Sequence, residues 1–457
     1  MIQRRVRPGR PGLGRRLVAL GAAALLVGTL WPSMVSGATP FGNPSAEATY
    51  GTGVTFHQPF TSPTDLRRVE ILVSAPDSIG PAALVVPTPA CCQETTLDYT
   101  LAEADSHIVP NTTLTARWRV TLTNGSTIVG EPTSVVYSDT RFAWQTQAGP
   151  IVRVHWYDGS DAFGKRALAI GERGVADAAK LLGVTESRPI DFYIYADQAA
   201  FYAALGPGTR ENVGGEAHAD IRTMFALITP DEIDASWVST VVPHELTHLV
   251  FDTAVRNPYH FPPRWLNEGL AVYLSEGYTD AWRTVVTNTV RSGGIIPLIG
   301  LTGQFPTTRD QFFLAYGESV SAVDYMVRTF GRDGLVKLVR SYADGVSDDE
   351  AFQAGIGRSV ADFQAGWLAD LGATAPQAIG PRIGPAGPLP PGWQAAPGAP
   401  VGGPATPRPG SVPSTVLHKD DGGDPAVVVL IALIVGIVGA VVILGLRARR
   451  RRTVIEP

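Results

Sequence analysis

The sequence predicts an α+β protein in which a β-sandwich-like domain precedes a domain of mixed sheet and helices, with a C-terminal transmembrane helix. Three observations predict this fold class. Residues 116–122 alternate apolar and polar side chains as a half-buried strand does, and Asn124-Gly125 favours a tight hairpin turn. Strand-like and helix-like segments follow one another from 151 to 228. Residues 426–446 form an apolar run without charge.

These observations divide the chain into six predicted segments. They are a signal peptide at 1–38, a β-sandwich-like accessory domain at 39–146, a second folded domain at 147–372, a Pro/Gly-rich stalk at 373–424, a transmembrane helix at 425–446 and a basic tail at 447–457. The accessory domain holds no polar constellation suited to catalysis. We expect it either to bind a partner through an edge or a loop, or to act as a structural spacer.

The N-terminal segment has the features of a secretory signal peptide. Six arginines within the first 16 residues precede an apolar run from Leu17 to Trp31, and Ser36-Gly37-Ala38 gives a small-x-small cleavage pattern. A retained membrane helix is the alternative, but the apolar run is short for a span. We therefore predict export.

The C-terminal apolar run is long enough to cross a bilayer as a helix. Five arginines follow within 447–452, and basic residues beside a span favour the cytoplasmic side. The prediction is a single-pass cell-membrane protein with residues 39–424 extracytoplasmic and the C-terminus cytoplasmic. Residues 373–424 are rich in proline and glycine and bury too little apolar surface to fold, so they are expected to form a stalk.

The net charge of −5 hides an asymmetry along the chain. Eleven of the 37 basic residues lie in the two terminal arginine clusters, which leaves 26 basic and 41 acidic residues between them, a net charge of about −15. Long-range repulsion from such an acidic surface argues against nucleic acid or anionic lipid headgroups as partners.

The two cysteines of the chain, Cys91 and Cys92, are adjacent. They cannot form the cross-linking framework of a small disulfide-rich domain, so stability must come from packed cores. A strained vicinal disulfide, a disulfide between two chains and two buried thiols are all compatible with the sequence.

The second folded domain begins with a predicted strand at 151–157, followed by a helix at 161–182 and a strand at 189–195. An extended run through 214–228 completes a mixed sheet, and a helix is predicted to start near Ser236. Pro243 falls within that helix, where it would remove a backbone hydrogen bond. The helix must therefore begin close to Pro243 or kink there, and first-turn placement is the easier option.

Residues 244–248 read His-Glu-Leu-Thr-His. On a helix His244 and His248 project from one face, where both imidazoles can meet a single ion. Neutral imidazole is a favoured ligand of zinc, and a catalytic zinc site keeps three protein ligands and one open position. Glu245 would lie beside a water at that position and act as its base.

A second amphipathic helix is predicted over 265–273, with the sequence Trp-Leu-Asn-Glu-Gly-Leu-Ala-Val-Tyr. Its Glu268 lies twenty positions after His248 and can return to the histidines as a carboxylate ligand. Two histidines and one carboxylate complete the protein side of a hydrolytic zinc site, so Zn²⁺ is the predicted cofactor.

The two motifs resemble those of the gluzincin metallopeptidases, the thermolysin-like and aminopeptidase-like enzymes with HExxH and a later glutamate. The similarity is greatest to the bacterial peptidase MA-like group and covers about 150–370. It implies a thermolysin-like (gluzincin) catalytic domain at 147–372, with His244, His248 and Glu268 as metal ligands and Glu245 as the base. Two departures limit it: the chain has no Gly-x-Met-Glu-Asn motif, which aminopeptidases of this superfamily use for a free N-terminus, and no aspartate four residues after Glu268 as in thermolysin.

Three further residues are candidates for the site. Tyr316 could donate to the developing oxyanion without carrying charge, or could instead cap or pack against a helix predicted at 319–330. His218 is an alternative donor, although a lone histidine is often simply a surface residue. The extended run that holds Gly215 and His218 resembles the edge strand that pairs with substrate backbone in gluzincins, so both are candidate substrate-binding residues. Structural roles are expected for His155, His260 and Tyr259.

Peptide hydrolysis is the leading hypothesis, and the missing aminopeptidase motif favours an endopeptidase that acts on a peptide or protein substrate. The alternative is a peptidase-like surface protein that has lost activity and binds a partner, but a binding scaffold needs no base beside the metal. A purely structural zinc site is disfavoured because closed sites prefer cysteine and histidine ligands.

Overall fold

The computed structural model describes residues 40–62, 64–90, 94–207, 214–257 and 260–376. The predicted signal peptide, transmembrane helix and cytoplasmic tail lie outside these ranges, as do nearly all of the predicted stalk, both cysteines and Tyr259. Within the described ranges, no helix combines the length and apolar character needed to cross a bilayer.

Thirteen strands and eight α-helices follow one another in the described residues. The strands are β1 Ser45–Thr49, β2 Gly53–Thr61, β3 Leu66–Ser74, β4 Ala82–Val86, β5 Glu94–Ala102, β6 Thr112–Leu122, β7 Thr127–Val129, β8 Thr133–Tyr137, β9 Gln145–Ala148, β10 Val152–Trp156, β11 Ile190–Tyr195, β12 Gly215–His218 and β13 Thr223–Leu227. The helices are α1 Asp161–Leu182, α2 Gln198–Leu205, α3 Val238–Val255, α4 Arg264–Ser275, α5 Asp280–Ser292, α6 Arg309–Ser341, α7 Asp348–Ile356 and α8 Val360–Leu371. Short 3-10 helices occur at Leu298–Leu301 and Tyr342–Asp344.

Strands β1 to β8 form two antiparallel sheets. One has the order β1-β2-β5, and the other has the order β4-β3-β6-β7 with β8 also paired to β6. Every second residue of β6 from Thr112 to Leu122 is buried, and Trp118 lies fully buried in a core to which both sheets contribute. This is the arrangement of a β-sandwich, and the alternation at 116–122 marks its inward face.

Strands β9 to β13 form a third sheet, which is mixed and has the order β12-β13-β11-β10-β9. The three central strands run parallel, whereas β12 and β9 pair antiparallel at the two edges. The predicted mixed sheet is therefore confirmed. Its first strand, Gln145–Ala148, spans the predicted boundary at 147, because β9 pairs with β10 rather than with the sandwich.

Helix α1 packs against both β10 and α3, and glycine permits the close approach of the two helices. A side chain at Gly174 would begin 3.1 Å from the Cα atom of Pro243. Helix α4 approaches α6 in the same way, because a Cβ atom at Gly269 would lie 2.5 Å from the carbonyl oxygen of Ser319. These two contacts fix the helices that carry the histidines and the glutamate of the predicted site.

Two predictions about helix limits are wrong. Helix α3 begins at Val238, so Pro243 lies in its second turn rather than its first. The carbonyl that loses its amide partner belongs to exposed Ser239, where water can bind it, which removes most of the penalty. The helix predicted at 319–330 is also longer, because α6 spans Arg309–Ser341 with a break in helical geometry at Gly331.

Candidate metal centre

Three candidate ligands come together from two helices. His244 and His248 lie one turn apart on α3 and Glu268 lies on α4, and all three side chains are at least 87 % buried. The Oε2 atom of Glu268 lies 3.7 Å from Nε2 of His244 and 3.6 Å from Nε2 of His248. Among the described residues, one candidate ligand atom from each side chain lies within 4.8 Å of the other two.

The donor set fits a zinc ion. The Nε2 atoms of both histidines and Oε2 of Glu268 are buried without a hydrogen-bond partner among the described residues, and buried polar atoms are rarely left so. Separations of 3.6 and 3.7 Å are too long for hydrogen bonds. Ligand atoms at about 2.0–2.2 Å around a tetrahedral zinc would be separated by roughly 3.3–3.6 Å. The cluster therefore has the chemistry and spacing of a three-ligand zinc site, which agrees with the cofactor prediction.

Asn267 orients one of the histidines. Its Oδ1 atom lies 3.0 Å from Nδ1 of His248, so Nδ1 carries the proton and the lone pair of Nε2 points toward Glu268. Asn267 was not predicted as a site residue. Its position immediately before Glu268 was the available signal, because it places a polar side chain close to the same ligands.

Arg264 holds the other oxygen of the glutamate. Its Nη2 atom lies 3.1 Å from Oε1 of Glu268, one helical turn away. Burial alone would raise the pKa of Glu268, but the nearby His244, His248 and Arg264 outweigh it and lower that pKa to about 2. The glutamate is therefore held as a carboxylate.

Glu245, a residue that is 2 % exposed, lies beside the cluster. Burial raises its pKa well above the ordinary value, and the negative charges of Glu268 and Glu216 add to that effect. Its Oε1 atom has no hydrogen-bond partner among the described residues, while the backbone amide of Ala217 hydrogen-bonds the carboxyl group. An acceptor is thus available beside the three ligands.

Gly215 allows the edge strand to reach this carboxyl group. A Cβ atom at Gly215 would lie 3.2 Å from Cγ of Glu245 and 3.0 Å from Cγ1 of Val241, so a larger residue would push β12 away from α3. The backbone amide of Ala217, two residues after Gly215, donates to the carboxyl group of Glu245. The outer edge of β12 therefore lies beside the carboxyl group that was predicted to be the base.

Tyr316 lies inside the site, in the second turn of α6 rather than at a helix cap. Its hydroxyl is fully buried and has no hydrogen-bond partner within the described part of the chain. Burial raises the pKa of Tyr316 well above its ordinary value, and the charges of Glu268 and Glu245 raise it further. The hydroxyl is therefore kept protonated close to both carboxylates.

The remaining histidines have other partners. His218 pairs through Nε2 with Oε1 of Glu216 at 3.0 Å, and its ring packs edge-on against Phe225. His155 is bound to Asp191 and stacked on Tyr193. His260 contacts Asp348 at 3.2 Å and stacks on Tyr342.

Glu276, directly after α4, is a third residue near the site that was not predicted, after Asn267 and Arg264. Burial raises its pKa, while the neighbouring His244 and a hydrogen bond with Trp282 lower it. It lies eight positions beyond Glu268, outside the recognisable motif, so the sequence carried no signal for it.

Two histidines and a glutamate brought together by two helices, with the Glu245 carboxyl group beside them, have the residue types and arrangement of a metallopeptidase zinc site. The family model of the Peptidase MA superfamily matches residues 170–373, which include all four of these residues. This region of the chain thus fits a gluzincin peptidase-like family, and the resemblance inferred from the two motifs is confirmed.

Similar solved structures are distant. A crystal structure of an aminopeptidase N family protein from Idiomarina loihiensis has 12 % identity and a TM-score of 0.38, covering 70 % of this chain and 76 % of its own. An M1 zinc metallopeptidase from Deinococcus radiodurans has 13 % identity and a TM-score of 0.36, covering 72 % of this chain and 92 % of its own. No curated protein sequence matches the chain.

Proposed function

We propose that this chain is a zinc-dependent endopeptidase held on the outer side of the cell membrane by its C-terminal segment. The observation that carries the catalytic part is the buried Glu245 carboxyl, whose Oε1 atom has no partner among the described residues and lies beside three convergent ligand atoms. A structural metal site would need no such group. Zinc, when bound, supplies a Lewis acid that polarises a peptide carbonyl and makes water easier to deprotonate.

The chain's own residues can divide the remaining work. Glu245 takes the proton from the attacking water and later returns it to the leaving amine, a role that suits a carboxyl whose pKa is raised. Tyr316 donates its hydroxyl proton in a hydrogen bond to the oxygen that gains charge, because its high pKa keeps that proton in place. Strand β12 is an edge strand of the mixed sheet as far as the structure describes it, and its outer edge pairs with an extended substrate backbone, with Gly215 and His218 at the two ends of the strand.

Two points support action within a peptide chain. The Gly-x-Met-Glu-Asn motif that binds a free N-terminus in related aminopeptidases is missing from the sequence. The substrate would bind by strand addition, which requires no chain end.

Anchoring in the membrane is supported by the apolar run at 426–446 and its flanking arginines.

The test uses the full chain in detergent. Metal analysis is expected to find one zinc per chain, and an internally quenched peptide with acetylated and amidated ends is expected to be cleaved by the parent but not by Glu245→Gln. Cleavage confined to peptides with a free N-terminus would contradict the endopeptidase proposal. Stoichiometric zinc without cleavage by either form would favour the inactive binding protein. Release of the protein from membranes by carbonate washing would contradict the anchor.

A further inference from the structure

Arg264 is the first residue of α4, a position that disfavours a positive charge. The helix dipole places partial positive charge at the N-terminus, where acidic residues are preferred. The first turn of α4 holds no acidic residue, and its one charge is this guanidinium. A specific contact of its side chain must therefore account for its placement.

Arg264 has a side chain that is only 16 % exposed, and both its backbone and its guanidinium make contacts. Its backbone amide donates to the carbonyl oxygen of Thr302 at 2.9 Å. Its guanidinium lies 4.8 Å from the ring centre of Phe305, and Nη2 donates to Oε1 of Glu268 at 3.1 Å. The ring and the carboxylate together hold the guanidinium in one orientation.

The two oxygens of Glu268 have different surroundings. Oε2 faces both histidine Nε2 atoms at 3.6 and 3.7 Å, whereas Oε1 accepts from Arg264. A carboxylate with both oxygens free can bind a metal through both of them, and the second oxygen then fills an additional coordination position. A hydrolytic zinc site needs that position open for water.

We infer that Arg264 is a positioning residue: it occupies the outer oxygen of Glu268, so that this ligand gives the metal a single oxygen and leaves a coordination position open. The inference rests on the proposed zinc site. Arginine suits the role because its planar guanidinium donates in a fixed direction while stacked on an aromatic ring. Mutation of a residue that orients a metal ligand typically lowers metal affinity by 10- to 100-fold.

The experiment compares the full-length parent with Arg264→Met, Arg264→Lys and a matched control, Arg328→Met. Arg328 also pairs with a carboxylate one turn away, Asp324 at 2.8 Å, but on α6 and with no candidate metal ligand. Zinc affinity is measured by competition with a chelator. The visible spectrum of the cobalt(II)-loaded protein reports coordination number, because four-coordinate cobalt absorbs more strongly than five-coordinate cobalt.

Arg264→Met is expected to bind zinc 10- to 100-fold more weakly and to show weaker cobalt absorption, as Glu268 turns to bind through both oxygens. Arg264→Lys should recover part of the affinity, and Arg328→Met should match the parent in both measurements. Parent-like affinity and spectrum in a folded Arg264→Met protein would overturn the inference. If that variant does not fold by circular dichroism, Arg264→Gln is judged by the same two measurements, with the same loss expected and the same overturning result.

Failure of the proposed function gives a different result. A parent chain that binds no metal would overturn both the site and this inference. A parent that binds zinc but cleaves no peptide would overturn the peptidase proposal, while the affinity and spectrum of Arg264→Met would still decide the role of Arg264.

Discussion

Two buried clusters of charged side chains lie in the second domain, and they differ in whether their polar atoms have partners. The carboxylate of Asp191 on β11 accepts four hydrogen bonds, two from Arg153 and one each from His155 and Asn111. Burial alone would raise the pKa of Asp191, but these bonds lower it to about 2. Because Asn111 belongs to the loop before β6, the cluster also ties the sandwich to the mixed sheet.

The zinc cluster has the opposite character. Five of its buried polar atoms have no hydrogen-bond partner among the described residues: Nε2 of His244, Nε2 of His248, Oε1 of Glu245, Oε2 of Glu268 and the hydroxyl of Tyr316. Unpartnered buried polar atoms cost stability, whereas paired ones contribute to it. The difference separates a cluster that stabilises the fold from one that is arranged for a ligand.

Replacement of the proposed base is expected to have the largest effect. Glu245→Gln removes the proton acceptor and should lower kcat by about 10²–10⁴-fold while zinc content stays at the parent value. The free energy of unfolding should not fall, because an amide replaces a buried carboxyl whose pKa is raised well above normal. Kinetics, metal analysis and urea unfolding measure the three quantities. A marked loss of stability would remove the contrast between the two clusters.

Asp191→Ala is expected to give the reverse pattern. It leaves Arg153 and Asn111 without their shared acceptor and should reduce the free energy of unfolding by about 1–3 kcal/mol, because hydrogen bonds to a charged carboxylate are lost while the 45 % exposed Arg153 remains hydrated. Zinc affinity and kcat should remain close to the parent values. Urea unfolding with chelator competition tests this, and loss of zinc binding in a folded variant would show that the two clusters are coupled.

Much of this arrangement was predictable from local sequence. Helix α1 occupies residues 161–182 as predicted, because its apolar spacing is regular and Gly183 ends it with a left-handed φ of 65°. The strands at 116–122, 151–157 and 189–195 were also predicted within a few residues, except that β6 begins earlier, at Thr112. In each case the sequence pattern that predicts the element lies within that element alone.

Features that depend on contacts between elements were not predictable. The first turns of α6 escaped prediction because Gly317, which lies against Trp282, weakens the helical signal there. The relation of Arg264 and Glu276 to the metal ligands arises only when α4 packs beside α3, so sequence alone could not reveal it. The partners of Asp191 come from three separate segments, so the sequence showed a lone His155 with no visible partner.

Glu318 is an intermediate case that sharpens the comparison. Its Oε1 atom accepts from the amide of Ile296 at 3.1 Å, but Oε2 has no partner among the described residues. Burial raises its pKa from 4.5 to about 8, against the opposing hydrogen bond from Ile296. A pKa that is higher in the folded state contributes stability that is complete below pH 4.5 and is lost as the pH rises through 8.

Glu318→Gln should therefore flatten this part of the pH profile. The amide cannot ionise and keeps the acceptor for Ile296, so the variant should be more stable than the parent at pH 9 by on the order of 1–3 kcal/mol. At pH 5 the two proteins should differ little. Urea unfolding at pH 5, 7 and 9 measures this, and equal pH profiles for parent and variant would mean that Glu318 is already ionised in the folded protein.

The smallest expected effect concerns the hydrogen bond that orients His248. Asn267→Ala removes the acceptor 3.0 Å from Nδ1, which frees the ring to adopt the other tautomer and should weaken zinc binding by roughly tenfold. Asn267→Asp is the matched control, because a carboxylate oxygen at the same place can still accept the proton and should keep the affinity near or above that of the parent. Chelator competition distinguishes the two variants. Equal loss of zinc affinity in both variants would show that the packing of Asn267, rather than its hydrogen bond, positions His248. The zinc cluster would then depend on side-chain packing, whereas the Asp191 cluster depends on hydrogen bonds.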